Sequence, residues 1–299
     1  ERGEQDMSTE LLVDGNPVDG QIVEKWELLL QKLKDLKKAA IAFSGGVDST
    51  FLLYAACRAL GDNVLAVTVQ SDWVPMRETS ESEAFCKVYG IRQVICRIRE
   101  EDVDGFLENP PDRCYLCKKV LFCRMMEMAA AEGYEQMLDG SNINDISDYR
   151  PGVRALRELG VISPLQEVGL TKEEIRILSR AHGLNTWQKP SFACLASRFV
   201  YGEEITREKL DMVDQAEQKL MDLGFHQFRV RIHGKLARIE VLKEEMGRLL
   251  EPDILQEVKE EKKAAYSLDG RKTVRRLFWR KIFCEKNDSL GLTFPMESV

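Results

Sequence analysis

An apolar run that stops abruptly at a Ser-Gly-Gly turn constrains this chain more than any other stretch. Ala39-Ala40-Ile41-Ala42-Phe43 leads into Ser44-Gly45-Gly46-Val47-Asp48-Ser49, and apolar positions 51, 52, 55, 56 and 59 follow at helical spacing. The pattern predicts a strand, a tight loop and a helix start. Two adjacent glycines let backbone N–H groups come close to an anion. Ser44 and Ser49 add hydroxyl donors, and the helix N-terminus adds the positive end of its dipole. A phosphate suits such a turn. No Gly-Lys-Ser/Thr follows at the Walker spacing, so this is a different kind of phosphate loop. A glycine-rich turn that binds nothing would explain a lone Gly-Gly better than it explains six residues set between strand and helix.

The rest of the chain supplies the fold around that turn. Ile22, Val23, Trp26, Leu29, Leu30, Leu33 and Leu36 give an amphipathic helix over Gln21 to Lys38. Asn63 to Val69 has the continuous apolar character of a strand buried on both faces, Arg77 to Tyr89 reads as a helix, and Val94 to Ile98 as a third strand. This alternation predicts an α/β doubly wound, mostly parallel sheet with ligands at the carboxyl ends of its strands, where residues 44–49 lie. Asn109-Pro110-Pro111-Asp112 breaks the chain before a helix from Lys118 to Glu132, and Gln136 to Asn142 reads as a strand ending in a polar turn. Thr171-Lys172-Glu173-Glu174 forms a capping box for a helix reaching about Ala181. Lys189 to Gly202 is irregular. A charged helix from Arg207 to Leu223 then precedes a hairpin of Phe228 to Ile232 and Leu236 to Val241, turned at His233-Gly234-Lys235. A further helix and a last strand near Leu277 to Phe283 complete a smaller α+β domain. The expected organisation is a flexible segment 1–17, a first domain 18–203 and a C-terminal domain 204–299.

Charge and cysteine usage narrow the function. Against 50 Asp and Glu stand 43 Lys and Arg, a net charge of −7, which argues against a broad basic surface for nucleic acid. No apolar run approaches the ~18 residues of a membrane helix, and the first residues lack a secretory signal pattern, so a cytoplasmic protein is expected. Eight cysteines, at 57, 86, 96, 114, 117, 123, 194 and 284, are too sparse for a disulfide scaffold and suit a reducing compartment. Cys114-Tyr115-Leu116-Cys117 has the CxxC spacing that turns two thiolates toward one metal or cluster. By spacing alone, a redox pair or two buried cysteines explain it equally well. Cys194 lies in the irregular segment with Arg198 nearby to favour a thiolate, against the plainer reading of a small buried hydrophobe. The other five cysteines read as structural, and His182, His226 and His233 as turn or surface residues.

Ser44-Gly45-Gly46-Val47-Asp48-Ser49 resembles the SGGxDS loop of the PP-loop ATP pyrophosphatases, of the adenine nucleotide alpha hydrolase-like fold. Further motifs follow in order: Asn109-Pro110-Pro111-Asp112-Arg113-Cys114, Leu138-Asp139-Gly140-Ser141-Asn142, Asp148-Tyr149-Arg150-Pro151-Gly152, and Lys189-Pro190-Ser191 through Cys194 to Ser197-Arg198-Phe199-Val200-Tyr201-Gly202. Together they resemble the LarE family of ATP-dependent sulfur transferases, which help to make the nickel-pincer nucleotide of lactate racemase. The resemblance implies adenylation of the carboxylates of pyridinium-3,5-biscarboxylic acid mononucleotide, release of pyrophosphate, and conversion to thiocarboxylates. It implies ATP at Ser44, Gly45, Gly46, Asp48 and Ser49, with Asp48 helping to hold Mg²⁺, and Arg229 and Arg231 on the substrate phosphate. One branch of the family sacrifices a single cysteine as sulfur donor and has no CxxC; in the other, three cysteines hold a 4Fe-4S cluster that passes on sulfide from a donor. Cys114, Cys117 and Cys194 match the second branch, with Cys194 as the sacrificial residue in the alternative. Glu217 and Glu240 resemble acidic positions linked to metal binding, although a helical Glu is ordinarily solvated. The family also implies a homo-oligomer, with a hexamer as one form. Rival readings are a PP-loop tRNA thiolation enzyme, an idle nucleotide-binding or cluster scaffold, and an amidotransferase, for which no glutaminase domain fits this length.

Overall fold

A computed structural model of the chain describes residues 11–145, 151–190, 193–234, 236–265 and 289–295. Of the sequence features above, Asp148-Tyr149-Arg150, Ser191, Lys235, Cys284 and the strand expected near Leu277 to Phe283 lie outside the described residues. The chain divides into two compact units. One comprises Glu1–Ser71, Met76–Asp102 and Cys114–Phe192, the other Asp72–Pro75, Val103–Arg113 and Ala193–Val299.

The first unit opens, within the stretch expected to be mobile, with an antiparallel ribbon of β1 (Leu12–Val13) and β2 (Asn16–Pro17). Helix α1 (Gly20–Leu36) follows, its first turn capped by the Asp19 carboxylate, which accepts from Gln21 N at 2.8 Å. Then come β3 (Ala39–Ala42), α2 (Val47–Leu60), β4 (Val64–Gln70), α3 (Met76–Tyr89), β5 (Arg92–Arg97) and α4 (Arg113–Ala131). Short β6 (Met137–Leu138), α5 (Pro151–Glu158), α6 (Pro164–Glu167) and α7 (Lys172–Ala181) complete it. Strands β5, β4, β3 and β6 lie in that order and all pair in parallel. The sheet is the α/β arrangement the alternation predicts.

Alternation along the strands explains why the sheet needs cover on both faces. Ala39, Ile41 and Phe43 pack with Val64, Ala66 and Leu138 against Trp26 and Leu29 of α1, Phe51 and Leu52 of α2, and Ile175 and Leu178 of α7. The intervening Ala40, Leu65 and Val67 are equally buried and point to the other face. Two boundaries differ from the sequence reading. Helix α4 begins at Arg113 rather than Lys118, so the CxxC lies inside its first turns. The strand expected over Gln136 to Asn142 shrinks to Met137–Leu138, whose far edge is bridged in parallel by Ile162 through the Ile162 N to Met137 O and Asp139 N to Ile162 O bonds.

The second unit gathers three pieces of chain by backbone bonding. Leu195 N donates to Trp73 O at 2.9 Å, Gly202 N to Asn109 O at 2.8 Å, and Ile205 N to Leu107 O at 2.9 Å. Trp73 packs on Phe106 with ring centroids 4.5 Å apart. Helix α8 (Arg207–Asp222), capped by Thr206, precedes the hairpin β7 (Phe228–His233) and β8 (Leu236–Leu242), short α9 (Met246–Leu249), α10 (Pro252–Ala265) and β9 (Ser289–Pro295). The three strands form an antiparallel sheet in the order β7-β8-β9. Phe228, Val230 and Ile232 are buried on one face, which leaves Arg229, Arg231 and His233 on the other.

Two polar features run against expectation. Glu217 is fully buried rather than solvated: its carboxylate receives Arg198 Nε at 2.6 Å, Arg198 Nη2 at 2.9 Å and Val230 N at 2.9 Å. His182, at the end of α7, is no surface residue either. Its ring sits 4.5 Å from that of Trp26 and 5.1 Å from that of Tyr54, and its Nε2 is buried without a partner.

Each feature carries an expected outcome. Glu217→Gln weakens the hold on a buried guanidinium and lowers stability by about 3 kcal/mol in a denaturant titration. The pair Arg198→Met with Glu217→Leu recovers part of that loss, although Val230 N–H, Ala193 O and Ser197 Oγ each lose a partner; a double variant as weak as the single would refute this account. For His182, burial pushes the pKa from 6.5 down to about 4, with Arg58 adding repulsion. The unfolded chain therefore takes up this proton first as the pH falls, so the contribution is complete above about pH 6.5 and is lost on the way down to about 4. His182→Gln should remove about one proton from the pH dependence of the urea midpoint across that window.

Candidate active site

Strand order places the turn after β3 where a ligand site belongs. The chain passes from β3 to β4 and β5 on one side, then returns to β6 on the other, so the carboxyl end of β3 is the switch point of the sheet. Phe43 O accepts from Thr68 Oγ1 at 2.8 Å, and Gln93 Nε2 donates to Thr68 Oγ1 and Ser82 Oγ at 2.8 and 3.1 Å, which anchors the base of the turn to its neighbours. Gly45 has φ +71°, a backbone that side chains other than glycine rarely adopt. Gly46 occupies the N-cap of α2 in extended conformation, and no side chain caps this helix. Its first N–H groups have no side-chain acceptor, the arrangement that suits an anion. Ser49 Oγ lies 3.0 Å from Ser44 Oγ and donates to Gly46 O at 3.2 Å, so both hydroxyls turn into the loop.

The turn after β6 closes on the same spot. Asp139, buried, accepts from the hydroxyls of Ser141 and Ser163, and Asp145 accepts from Asn142 N at 3.0 Å. A Cβ on Gly140 would stand 2.9 Å from Ser49 N and 3.1 Å from the Asp48 carbonyl carbon. Only glycine allows this approach.

Charged groups converge on the loop. Asp48 presents one carboxylate oxygen to Lys172 Nζ at 2.6 Å, while its Oδ1 is buried without a partner. That oxygen fits a Mg²⁺, which needs only one or two protein carboxylates when phosphates supply the rest. Lys189 Nζ donates to Gly45 O at 3.0 Å and to Glu81 at 2.5 Å. Sequence reasoning gave neither lysine a role. One clue was available: a cation in the first turn of a helix opposes the dipole, and Lys172 is the first residue of α7.

The cysteines separate by environment. Cys114 and Cys117, half-buried, stand on one face of the first turns of α4. Helix α5 packs on this turn, since a Cβ on Gly152 would lie 2.7 Å from Lys118 Cδ and 3.4 Å from Cys114 O. In the second unit, Cys194 is half-buried and its carbonyl accepts from Ser197 N at 3.0 Å at the head of a 3-10 turn, Leu195–Arg198. Arg198 is not available to favour its thiolate as expected, because its charge is engaged by Glu217. Burial pushes the thiol of Cys57 up to about 11, with Asp62 adding to it, and that of Cys86 up to about 12. Burial also raises Cys96. These are inert thiols at neutral pH. Among the described residues, no group of three His, Cys, Asp or Glu side chains stands together as a metal site.

On the hairpin, Arg231 Nε donates to Glu240 at 3.0 Å and Nη1 to Ser197 O at 3.2 Å, while Arg238 bonds the other Glu240 oxygen. Burial pushes the Glu240 carboxyl up, but Arg231 and then Arg238 outweigh it and hold it below the usual range. Arg229 has no hydrogen bond or ion pair among the described residues; burial, then Arg198 and Arg231, lower its pKa. A cavity of about 540 Å³ beside Val13, Arg176, Arg180 and Trp187 includes none of the loop residues and suggests no chemistry.

The tightest of these contacts is the most testable. Gly140→Ala forces the two turns apart and should weaken pyrophosphate binding about tenfold, with a stability loss of about 1–3 kcal/mol. Calorimetric titration beside a thermal melt decides, and unchanged pyrophosphate affinity would show that the approach is incidental.

Comparison with known proteins agrees with this architecture. No family model matches the chain. It is 36% identical over 230 residues to the pyridinium-3,5-bisthiocarboxylic acid mononucleotide synthase of Lactiplantibacillus plantarum, covering 77% of this chain and 83% of that one. An uncharacterised protein of Synechocystis sp. is 41% identical over 234 residues, covering 78% and 87%. One component of the glutamine-hydrolysing GMP synthase of Archaeoglobus fulgidus is 30% identical over 231 residues, covering 70% and 74%. With a curated relative matched over most of both chains, and the phosphate loop at the switch point of a parallel sheet, the chain belongs to the LarE family of PP-loop sulfur transferases.

Proposed function

We propose that the protein uses ATP to convert the carboxylates of pyridinium-3,5-biscarboxylic acid mononucleotide to thiocarboxylates. The observation that carries this reading is the uncapped loop at the switch point beside Asp48, whose Oδ1 is buried and unpartnered. A carboxylate is a poor electrophile until it carries a leaving group. A substrate carboxylate oxygen attacks the α-phosphorus of ATP, the bond to the β-phosphate oxygen breaks, and pyrophosphate leaves with that electron pair. A sulfur nucleophile then attacks the activated carbonyl carbon and expels AMP. Ser44, Gly45, Gly46 and Ser49 hold the departing pyrophosphate through N–H and hydroxyl donors, and Asp48 Oδ1 is the group that would hold a Mg²⁺, which would supply charge neutralisation for the phosphates. Arg229, half-buried with no carboxylate of its own, and Arg231 take the phosphate of the substrate mononucleotide.

Cys114, Cys117 and Cys194 are the thiols that would hold a 4Fe-4S cluster. Their fit is one of donor chemistry: two thiols share a helical turn, and all three are half-buried rather than sealed in the core. Bound there by three thiolates, a cluster supplies an open iron for a transferable sulfide.

The test is turnover of the anaerobically reconstituted protein with ATP, Mg²⁺, sulfide and the biscarboxylate mononucleotide. Pyrophosphate release that depends on this substrate, with product mass rising as sulfur replaces oxygen, is expected. Release that depends on tRNA instead, or ATP binding without release, would overturn the proposal. Iron content should be about four per chain and fall in Cys114→Ala, Cys117→Ala and Cys194→Ala. If all three variants keep the iron content of the parent, the cluster assignment fails.

A further inference from the structure

We infer that Lys172 and Lys189 are the two cations that receive the β- and γ-phosphates of ATP at this loop, each held in position by a carboxylate. The inference rests on the ATP reading above. Their ammonium groups arrive from separate segments: Lys172 from the first residue of α7, Lys189 from just after the 3-10 turn Asn185–Gln188. One reaches Asp48, the fifth residue of the loop, at 2.6 Å; the other reaches the carbonyl of Gly45, the second residue, at 3.0 Å. Neither behaves as a solvated surface lysine, since their side chains are only 34% and 17% exposed.

Charge balance explains why both are needed. Without them, the residues in contact here would be Asp48 and Glu81, two negative charges against neutral N–H and hydroxyl donors. Such a site repels a triphosphate. The lysines bring the local sum to zero and leave Mg²⁺ to supply the excess positive charge. The carboxylates also differ in exposure. Glu81 is 54% exposed and can release Lys189 to a phosphate by turning into solvent. Asp48 is 21% exposed and can keep Lys172 on one oxygen while the other faces the metal. As the bond between the α- and β-phosphates breaks, negative charge grows on the departing pyrophosphate, and an ammonium already placed there stabilises it without reorganising. An ordinary pair of surface ion pairs would have no such preference among nucleotides.

The discriminating experiment is calorimetric titration with Mg²⁺-ATP and, separately, with AMP, on the full chain and on Lys172→Met, Lys189→Met and the corresponding Lys→Arg variants. AMP lacks the phosphates that these lysines would hold. Each Met variant should lose about tenfold or more in ATP affinity, as expected for a charge-assisted hydrogen bond, with AMP affinity within about twofold of the parent and the Arg variants near it. Unchanged ATP affinity in both Met variants would overturn the inference. So would a parallel loss of ATP and AMP binding, which marks a role in shaping the loop. A parent protein that binds AMP and ATP equally weakly would instead sink the ATP reading itself.

Discussion

Parallel pairing of β3 with β4 on one side and β6 on the other is the constraint on which the site depends. Ala39 to Ala42 register with Val64 to Val67, and Ala40 and Ile41 with Met137 and Leu138. Because all three strands run the same way, their carboxyl ends emerge on one edge, and the turns that follow β3 and β6 must share that edge. Neighbouring strands are about 4.8 Å apart, which leaves little room between the two turns. Gly140 is the consequence: it lies so close to the first turn of α2 that a single methyl group would collide with backbone. The small side chains of β3 serve the same geometry, since Ala39, Ala40 and Ile41 are completely buried between helices on both faces.

The treatment of charge distinguishes support from chemistry. In the second unit, Arg198 and Glu217 are sealed together with every carboxylate oxygen engaged, and Glu240 is shared by Arg231 and Arg238. The Arg198–Glu217 pair is sealed and organises the fold at a large desolvation cost, whereas the Arg231, Glu240 and Arg238 group stays part-exposed and open to a ligand. Where a buried polar atom beside the loop is left unsatisfied, at Asp48 Oδ1, the fold gains nothing from the arrangement. Native structures seldom leave such groups without a reason, and a ligand is the usual one.

Much of this architecture was legible in the sequence because its signals are local. The periodicities that mark α1, α2, α8 and the β7–β8 hairpin span only a few residues, and the Ser-Gly-Gly turn carries its own conformational demands. What escaped depends on distant partners. Nothing near Glu217 indicates that it is buried, because the guanidinium that makes burial tolerable is 19 residues earlier. His182 looked like a helix-end residue, and its aromatic cage comes from Trp26 and Tyr54, the latter 128 residues away. The start of α4 was set too late because Pro110 and Pro111 suggest a break. Proline is equally suited to the approach to a helix, and Arg113 N already donates to Pro110 O at 3.0 Å. The lysines at the loop escaped for the same reason, since Lys172 looks like part of a capping box until Asp48 is brought beside it.

The cysteines show how burial sorts one residue type into two kinds of chemistry. Cys57 and Cys86 neighbour the apolar core around α2 and α3, where a thiolate would lose its hydration with no metal or guanidinium to replace it. Burial raises both thiols well above neutral pH, so they stay protonated and poorly nucleophilic there. Cys96, on β5, is held the same way by burial. A protein that moves sulfur must keep such thiols out of competition with those that do the work, and packing achieves this without any dedicated device. Exposure alone does not draw the line, since Cys57 and Cys123 are half-buried too; what sets Cys57, Cys86 and Cys96 apart is the desolvation that raises their thiols. Cys114 and Cys117 at the start of α4 and Cys194 at the head of its 3-10 turn are half-buried, and a thiol in that setting can be reached by iron, sulfide or substrate.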